Sequence, residues 1–465
     1  MSSMNIFANL SPLDHRYHAS DPELWRELSA VLSEEAYIGY QMRVEWALVQ
    51  ALENRNISPK GSAAEVHRAC QRITPADVRA EEEITRHNVR ALVNCIQREV
   101  SEEVRPFIHL TATSVDILDT ARALQLRDAV DKVLLPRMEE FLRVLIDLAQ
   151  KTADVPMVGR THGQHGVPIT FGFAMSEYVS RLGGRIEKIK EAKDNLRGKM
   201  AGAVGAYNAS SLLFENPQDF EREVLALLGL KPGDHSTQIV EPEYVLDLMH
   251  ALTSAFGVLA NFADDMRHLQ RTELSEVGEA FEEGQVGSST MPHKRNPWNY
   301  EHVKSMWKAF MPRMMTVYMD QISEHQRDLT NSASARFVTE IVAALTMAVQ
   351  RLTKVTKKLA VDKEQMLKNL ELNAGLIVAE PLYILLAAHG HPDAHEAVRK
   401  LTLEAEKTGR SVVEIAQESP ELSPYLAKFT PEQTKIISDP LTYTGQAAAK
   451  CKEICAVHLE KITKL

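Results

Sequence analysis

The sequence predicts an all-α protein, and three observations carry that prediction. Aromatic residues make up only 6 % of the 465-residue chain, whereas Ala, Leu, Glu and Met, good helix formers, are plentiful. Several stretches repeat apolar residues at spacings of three and four, the period of a helix with one buried face. These stretches exceed the average globular helix of about 11 residues, which points to a bundle of long helices.

The longest stretch runs from Glu241 to about Leu274, with Val245, Leu248, Leu252, Phe256, Leu259, Phe262, Met266 and Leu269 on one stripe. Pro242 suits its first turn, where a missing N–H does no harm. At about 1.5 Å per residue this helix approaches about 50 Å. A second stripe comprises Ile341, Leu345, Ala348, Leu352, Val355 and Leu359, and a third Val133, Leu134, Met138, Phe141, Leu142, Leu145 and Leu148. A fourth helix is expected from Ile169 to about Leu196. Long apolar faces of this kind favour burial against other subunits.

A chain of this length exceeds one compact core. The long helices define a central domain, residues 112–364, flanked by an N-terminal helical domain, 1–111, and a C-terminal one, 365–465. The first boundary lies between Pro106 and Ser114, the second just after the Leu359 helix. Short β segments near Val204 and over Ser210–Phe214 fit the pattern without changing the class.

The formal net charge of −10 disfavours a general nucleic-acid surface. The opening MSSMNIFANLSPLDHRY has no basic run followed by an apolar stretch, so no signal peptide is expected. No segment approaches ~18 uninterrupted apolar residues, so no membrane span is predicted. Cys70, Cys95, Cys451 and Cys455 are too sparse for a disulfide framework, and a reducing cytoplasm is the expected location. His389, His391 and His395 lie close together, but without a Cys pair or an HExxH helix they predict no metal site. No Walker A or Rossmann fingerprint is present.

Chemistry concentrates in Gly284–Pro297, GQVGSSTMPHKRNP. Its glycines can expose backbone N–H groups, and Ser288, Ser289, Lys294 and Asn296 add donors that suit a carboxylate. Residue types alone leave a surface turn open as the alternative. The run GSSTMPHKRNP, however, closely resembles the signature of the fumarase/aspartase superfamily. SPLDHRY (Ser11–Tyr17), TSVDILDT (Thr113–Thr120), RTHGQ (Arg160–Gln164), GAVGAYNA (Gly202–Ala209), STQIVEPEY (Ser236–Tyr244) and RDLTNSASAR (Arg327–Arg336) resemble its adenylosuccinate lyase family, bacterial type. The matches run from the first twenty residues to beyond residue 380.

The resemblance implies a three-domain all-α fold whose long helices form a tetrameric core, with active sites shared between subunits of a homotetramer. It implies β-elimination of fumarate from adenylosuccinate, giving AMP, and from succinylaminoimidazole carboxamide ribotide, giving AICAR. No metal, cofactor, nucleic acid or membrane is implied. Ser288 matches the general base, His162 the general acid, Glu301 the carboxylate that orients it, and Lys294 a catalytic cation. His87 matches a second active-site histidine, although Asn88 stands where the family commonly has Asp. Thr113, Ser114, Gln238, Lys294 and Asn296 match positions that hold the succinyl carboxylates. Arg16, Tyr17, Arg327, Ser332 and Arg336 match those that hold the phosphate. Arg86, Thr161 and Ser289 complete the expected substrate contacts, and His109 is equally compatible with packing.

These residue types suit the reaction. Removing a proton beside a carboxylate builds a doubly charged aci-carboxylate that needs preorganised donors and cations. Expelling nitrogen needs an acid. Serine is a poor base unless its alkoxide is stabilised, so a purely carboxylate-binding Ser288 stays open from residues alone. Another superfamily lyase and a non-catalytic helical scaffold are the two alternative readings. The phosphate-site matches argue against the first, and the intact set His162, Ser288, Lys294 and Glu301 argues against the second.

Overall fold

A computed structural model describes residues 9–280, 290, 291 and 293–463. The described chain is dominated by helices, with three two-stranded sheets. It divides into two compact units: Met1–Met138, Arg185–Gly257 and Ser305–Gln350 in the first, Glu139–Gly184, Val258–Lys304 and Arg351–Leu465 in the second.

The first unit is built on the helix Glu34–Asn54, whose Val44, Ala47, Leu48, Val49 and Leu52 are sealed from solvent. Ser33 starts it by accepting from the Ala36 N–H at 3.1 Å, satisfying one of the first turn's unpaired donors. The helix packs against Ser114–Ala129, which contributes Ile117, Ala121 and Leu124. Two further helices, Pro75–Thr85 and Asn88–Glu99, pair with each other. The turn between them is made by Arg86, left-handed at φ 56°, and by His87, whose Nδ1 accepts from the Arg90 N–H at 3.2 Å.

The helical run that begins at Ser114 does not stop at Ala129. One π turn, Val130–Leu134, leads straight into Leu135–Lys151. Pro136 explains the wider turn: it has no N–H to donate, and the preceding Leu135 N–H reaches the Val130 carbonyl five residues back. The stripe from Val133 to Leu148 is therefore the second half of a longer continuous run.

In the second unit, Phe262 is the centre of an aromatic cluster. The rings of Phe141, Tyr178 and Tyr300 meet it edge-on, with centroids at 5.7, 5.2 and 6.1 Å. Toward the C-terminus, Leu382, Leu386, Val398, Leu401, Val412 and Ile415 form a separate apolar cluster. Cys451 and Cys455 lie buried on Ala447–Thr463, their thiols facing the Ala149 and Ile146 carbonyls at 3.4 and 4.0 Å, and burial pushes the Cys455 thiol up to about 12. The three clustered histidines make local contacts: His389 bonds Gln433 at 2.9 Å, His391 accepts from the Asp393 N–H, and His395 meets the Tyr383 ring edge-on.

Several expectations need correcting. The helix expected over Glu241–Leu274 spans Glu243–Leu269, ending at an Arg271–Ser275 turn held by main-chain bonds. It is long and apolar enough to cross a membrane by length and composition, yet 61 % of its most apolar window is buried within the protein. The fourth helix is Phe171–Asp194, and the Ile341 stripe lies on Val338–Thr356, leaving Leu359 outside. Neither expected β segment forms: Val204 sits in a turn and Ser210–Leu212 is a short 3-10 helix. The longest strands are instead Pro156–Thr161 and Gln164–Thr170, where a polar turn interrupts the helical period.

Truncating Phe262 to Ala removes the ring shared by the three edge contacts. The substitution should lower unfolding stability by about 3–5 kcal/mol, read as a fall in the urea midpoint. An unchanged midpoint would show that the cluster contributes no packing energy.

Candidate active site

The RTHGQ segment is the tip of an antiparallel hairpin in the second unit. Thr161 pairs with Gln164 across a two-residue turn, His162 at φ 56° and Gly163 at φ 74°. Positive φ at both central positions is the type I′ geometry, whose twist matches that of the flanking strands. Gly adopts it freely, and His is among the few other residues that tolerate it. The turn therefore projects His162 from an exposed tip held by two strands.

A buried ion pair anchors this hairpin. Arg160 forks onto Glu276, with contacts of 2.9 and 2.6 Å, and Glu276 is fully sealed from solvent. Asn369 donates to the same carboxylate at 2.9 Å and to the Leu274 carbonyl at 2.7 Å. A planar guanidinium facing a carboxylate in parallel is the strongest of the ordinary ion-pair geometries. His165, on the second strand, is held below the usual imidazole range by burial and by the Arg160 charge.

The hairpin borders a cavity of about 2080 Å³, lined also by His293, Lys294, Asn296 and Glu301. Glu279 determines where the chain re-enters helix beyond the signature segment. Its carboxylate accepts from the Asn299 N–H at 3.0 Å, the Asn299 side chain at 2.7 Å and the Tyr300 N–H at 3.2 Å, capping the helix Trp298–Phe310. Burial nonetheless raises the Glu279 pKa, outweighing those bonds. Lys294, Arg295 and Arg271 bring positive charge to the cavity, which also carries the carboxylates Glu177, Glu273 and Glu301; its Asp265 and Glu279 are engaged by Tyr178 and by the helix N-terminus.

The first unit gathers the other motif segments around Asp116. This carboxylate accepts from the Thr113 N–H at 2.7 Å, the Lys199 ammonium at 2.6 Å, and the Ala201 and Gly202 N–H groups at 3.1 and 3.2 Å. Asp116 and Lys199 are 0 % and 1 % exposed. Alongside, Glu221 accepts from the Met200 N–H at 2.8 Å and the Tyr207 hydroxyl at 2.5 Å. Gly205, at φ 74°, comes so close to Ser236 that a Cβ would lie 1.9 Å from its carbonyl oxygen, so only glycine fits. Asp119 accepts from the Val240 N–H at 2.9 Å, and the Gln238 N–H donates to the Gln326 carbonyl at 3.3 Å. Burial pushes the Asp119 carboxyl up to about 6, against the Val240 bond and the nearby Arg327 charge. Four stretches distant in sequence thus meet: 113–120, 199–207, 236–240 and 326–327.

Of the expected site residues, Lys294, Asn296 and Glu301 line one cavity with Arg160, Gly163 and His165. Thr161 and His162 sit exposed at the hairpin tip, and among the described residues no hydrogen bond joins His162 to Glu301. Thr113, Ser114, Gln238 and Arg327 belong to the segments around Asp116 and Asp119. Arg327 donates to the Asp328 carbonyl at 2.6 Å and to Asn331 at 3.0 Å, while Ser332 and Arg336 are exposed. Arg86 and His87 form the exposed helix–helix turn, and Asn88 turns its amide oxygen to the Val89 N–H. Arg16 and Tyr17 lie on a single π turn, Leu13–Tyr17. Ser288 and Ser289 lie outside the described residues.

Comparison with known proteins places the chain in a family. Residues 15–310 match the Lyase family model, and residues 323–433 match the model described as adenylosuccinate lyase C-terminal. The adenylosuccinate lyase of Pyrococcus abyssi is 35 % identical over 442 residues, 94 % of this chain and 95 % of that protein. The chain belongs to the adenylosuccinate lyase family. It is also 30 % identical to the N-acetyl-S-(2-succino)cysteine lyase of Enterococcus italicus, over 92 % of this chain and 94 % of that protein. The crystal structure of a fumarate lyase from Mesorhizobium sp. BNC1 superposes with a TM-score of 0.81 at 25 % identity, covering 93 % of this chain and 97 % of that one.

For this adenylosuccinate lyase family member, the structure adds residues that the sequence reading left out as individuals: Asp116, Lys199, Glu276, Glu279 and Asn369. Asp116 lay within a matched segment, and Arg160 opened another, so both were within reach. Lys199 and Asn369 carried no signal, because their partners lie 83 and 93 residues away. Asp116→Ala, which strands the Lys199 ammonium in the core, should cost about 3–5 kcal/mol of stability. Chemical unfolding monitored by circular dichroism checks this, and a loss below 1 kcal/mol would mean that the knot is not a structural anchor.

Proposed function

We propose that the chain cleaves adenylosuccinate to AMP and fumarate, and succinylaminoimidazole carboxamide ribotide to AICAR and fumarate, as a step of purine biosynthesis. Family membership over nearly the full length of chain and relative carries this reading. It is supported by the cavity that unites Lys294, Asn296 and Glu301 with the RTHGQ hairpin.

In this reading, Ser288 removes the proton from the succinyl carbon next to a carboxylate. The electron pair first resides on that carboxylate as an aci-form, which Lys294 and Asn296 stabilise. It then forms the C=C bond of fumarate as the adjacent C–N bond breaks. His162, protonated, delivers a proton to the departing nitrogen, and Glu301 orients its ring. Thr113, Ser114, Gln238 and Ser289 hold the carboxylates, with Thr161 beside the acid. Arg16, Tyr17, Arg327, Ser332 and Arg336 hold the phosphate, for which guanidinium groups have the matching fork. Arg86 and His87 contact substrate from their helix–helix turn. The reaction needs no metal or cofactor.

The working form in this proposal is a homotetramer whose sites are shared between subunits. Met315 and Met319 support assembly: they lie four apart on the helix Arg313–Met319 yet stand exposed on the single chain. A cytoplasmic location accords with four free cysteines, of which Cys95, Cys451 and Cys455 are buried.

A second reading comes from the Enterococcus relative: elimination of fumarate from a succinylated thiol, with sulfur rather than nitrogen leaving. Assaying the purified protein on adenylosuccinate, the carboxamide ribotide and N-acetyl-S-(2-succino)cysteine separates the two. Turnover confined to the thioether would overturn the purine assignment.

His162→Gly is the informative variant, because glycine keeps the left-handed turn while removing the imidazole. Its thermal unfolding should match the parent, while kcat falls by about 10²–10⁴. Ser288→Ala should lose turnover severely with assembly unchanged. Near-normal kcat in either variant would remove that residue from its assigned role.

A further inference from the structure

Glu45 is a carboxylate where packing asks for none. It sits with 0 % exposure on the helix Glu34–Asn54, beside the sealed Val44, Leu48 and Val49. A buried acid is costly unless it is paired. Its Oε1 lies 2.7 Å from His109 Nδ1, and its Oε2 is sealed without a partner. The histidine side chain is 22 % exposed, and among the described residues its Nε2 has no protein partner.

The backbone around His109 is strained. His109 and Thr111 adopt φ of 62° and 71°, left-handed conformations that are unfavourable for a β-branched threonine. Strain of this kind persists where the surroundings over-determine it, and it concentrates at functional sites. The segment runs directly into Thr113 and Ser114, the proposed carboxylate contacts.

We propose that Glu45 is a positioning residue for the elimination: it fixes the tautomer, charge and direction of the His109 imidazole, so that Nε2–H meets an oxyanion of the substrate. This rests on the lyase reading above. With Nδ1–H committed to a carboxylate that cannot turn away, the ring has one orientation, and its outer nitrogen becomes a fixed cationic donor. The surroundings agree in sign. Burial works against the imidazolium, but the charge and hydrogen bond of Glu45 outweigh it, so that the His109 pKa is raised. Asp116, on Ser114–Ala129, also favours the cation, and Arg90, on Asn88–Glu99, opposes it. Cys70, on Ser62–Cys70, is pushed up to about 12 by burial and by Glu45, and so adds no charge. The cationic donor is therefore favoured over that of an ordinary histidine and is lost as pH rises through the raised pKa.

The test uses Glu45→Gln, which keeps the shape but not the charge, with Glu45→Asp as the conservative control. Histidine C2-hydrogen exchange, followed peptide by peptide by mass spectrometry, reads the His109 titration without reference to activity. Its midpoint should fall in Glu45→Gln and be largely restored in Glu45→Asp. KM should rise about tenfold in Glu45→Gln with kcat little changed, as expected for losing a charged hydrogen bond. The alkaline rise in KM should move to lower pH, and adding the substitution to His109→Gln should have no further effect. Inhibition by inorganic phosphate and by fumarate identifies the oxyanion, since Glu45→Gln should weaken the inhibitor that His109 faces. An unchanged midpoint, or an unchanged KM together with unaltered inhibition by both anions, would overturn the proposal. Wild-type protein that lacks purine turnover while the midpoint still falls would sink the lyase reading instead, leaving anion binding to decide the role of Glu45.

Discussion

A carboxylate taken out of water must find donors for its lone pairs, and this requirement organises both units. Asp116 collects an ammonium and three backbone N–H groups. Glu276 collects a guanidinium fork and an amide. Asp116 draws its backbone donors from the helix start at Thr113 and from the irregular stretch at 201–202, whereas Glu276, itself in irregular backbone, ties that stretch to the hairpin through Arg160 and to the helix Lys363–Glu371 through Asn369. Removing either acid would leave a buried cation behind, which costs more than the pair itself contributes. The acids act as fasteners for irregular backbone more than as sources of net stability.

The fastened segments carry the residues that the lyase reading needs. Asp116 holds the main chain of Thr113, Asp119 that of Val240 beside Gln238, Glu276 the guanidinium of Arg160 beside His162, and Glu279 the first turn of the helix bearing Glu301. Positive φ recurs at the same places: Arg86, His109, Thr111 and His162 all adopt it without being glycine. Such conformations cost energy, and rigid neighbours are what maintain them. Preorganisation of this kind spares a reacting site the reorganisation that water would require.

The helical class was legible because burial of one face imposes a period on the residues themselves. The stripes on Glu243–Leu269 and Val338–Thr356 needed no tertiary information. Ends and interruptions were less legible. The π turn before Pro136 keeps a helix running where proline suggests a start, and the hairpin at 156–170 has strands too short and too mixed in polarity to stand out. Ser210–Leu212 turned out helical because its β-like composition had no partner strand.

By itself, the sequence determined the all-α class, the positions of the long helices and, through its motifs, the family. Those properties depend on residues close together along the chain. Only the tertiary structure decided which charges meet. Asp116 and Lys199 are 83 residues apart, Arg160 and Glu276 116, and Glu45 and His109 64. No local spacing records such pairs, because each answers the need to neutralise a charge that tertiary packing takes out of water.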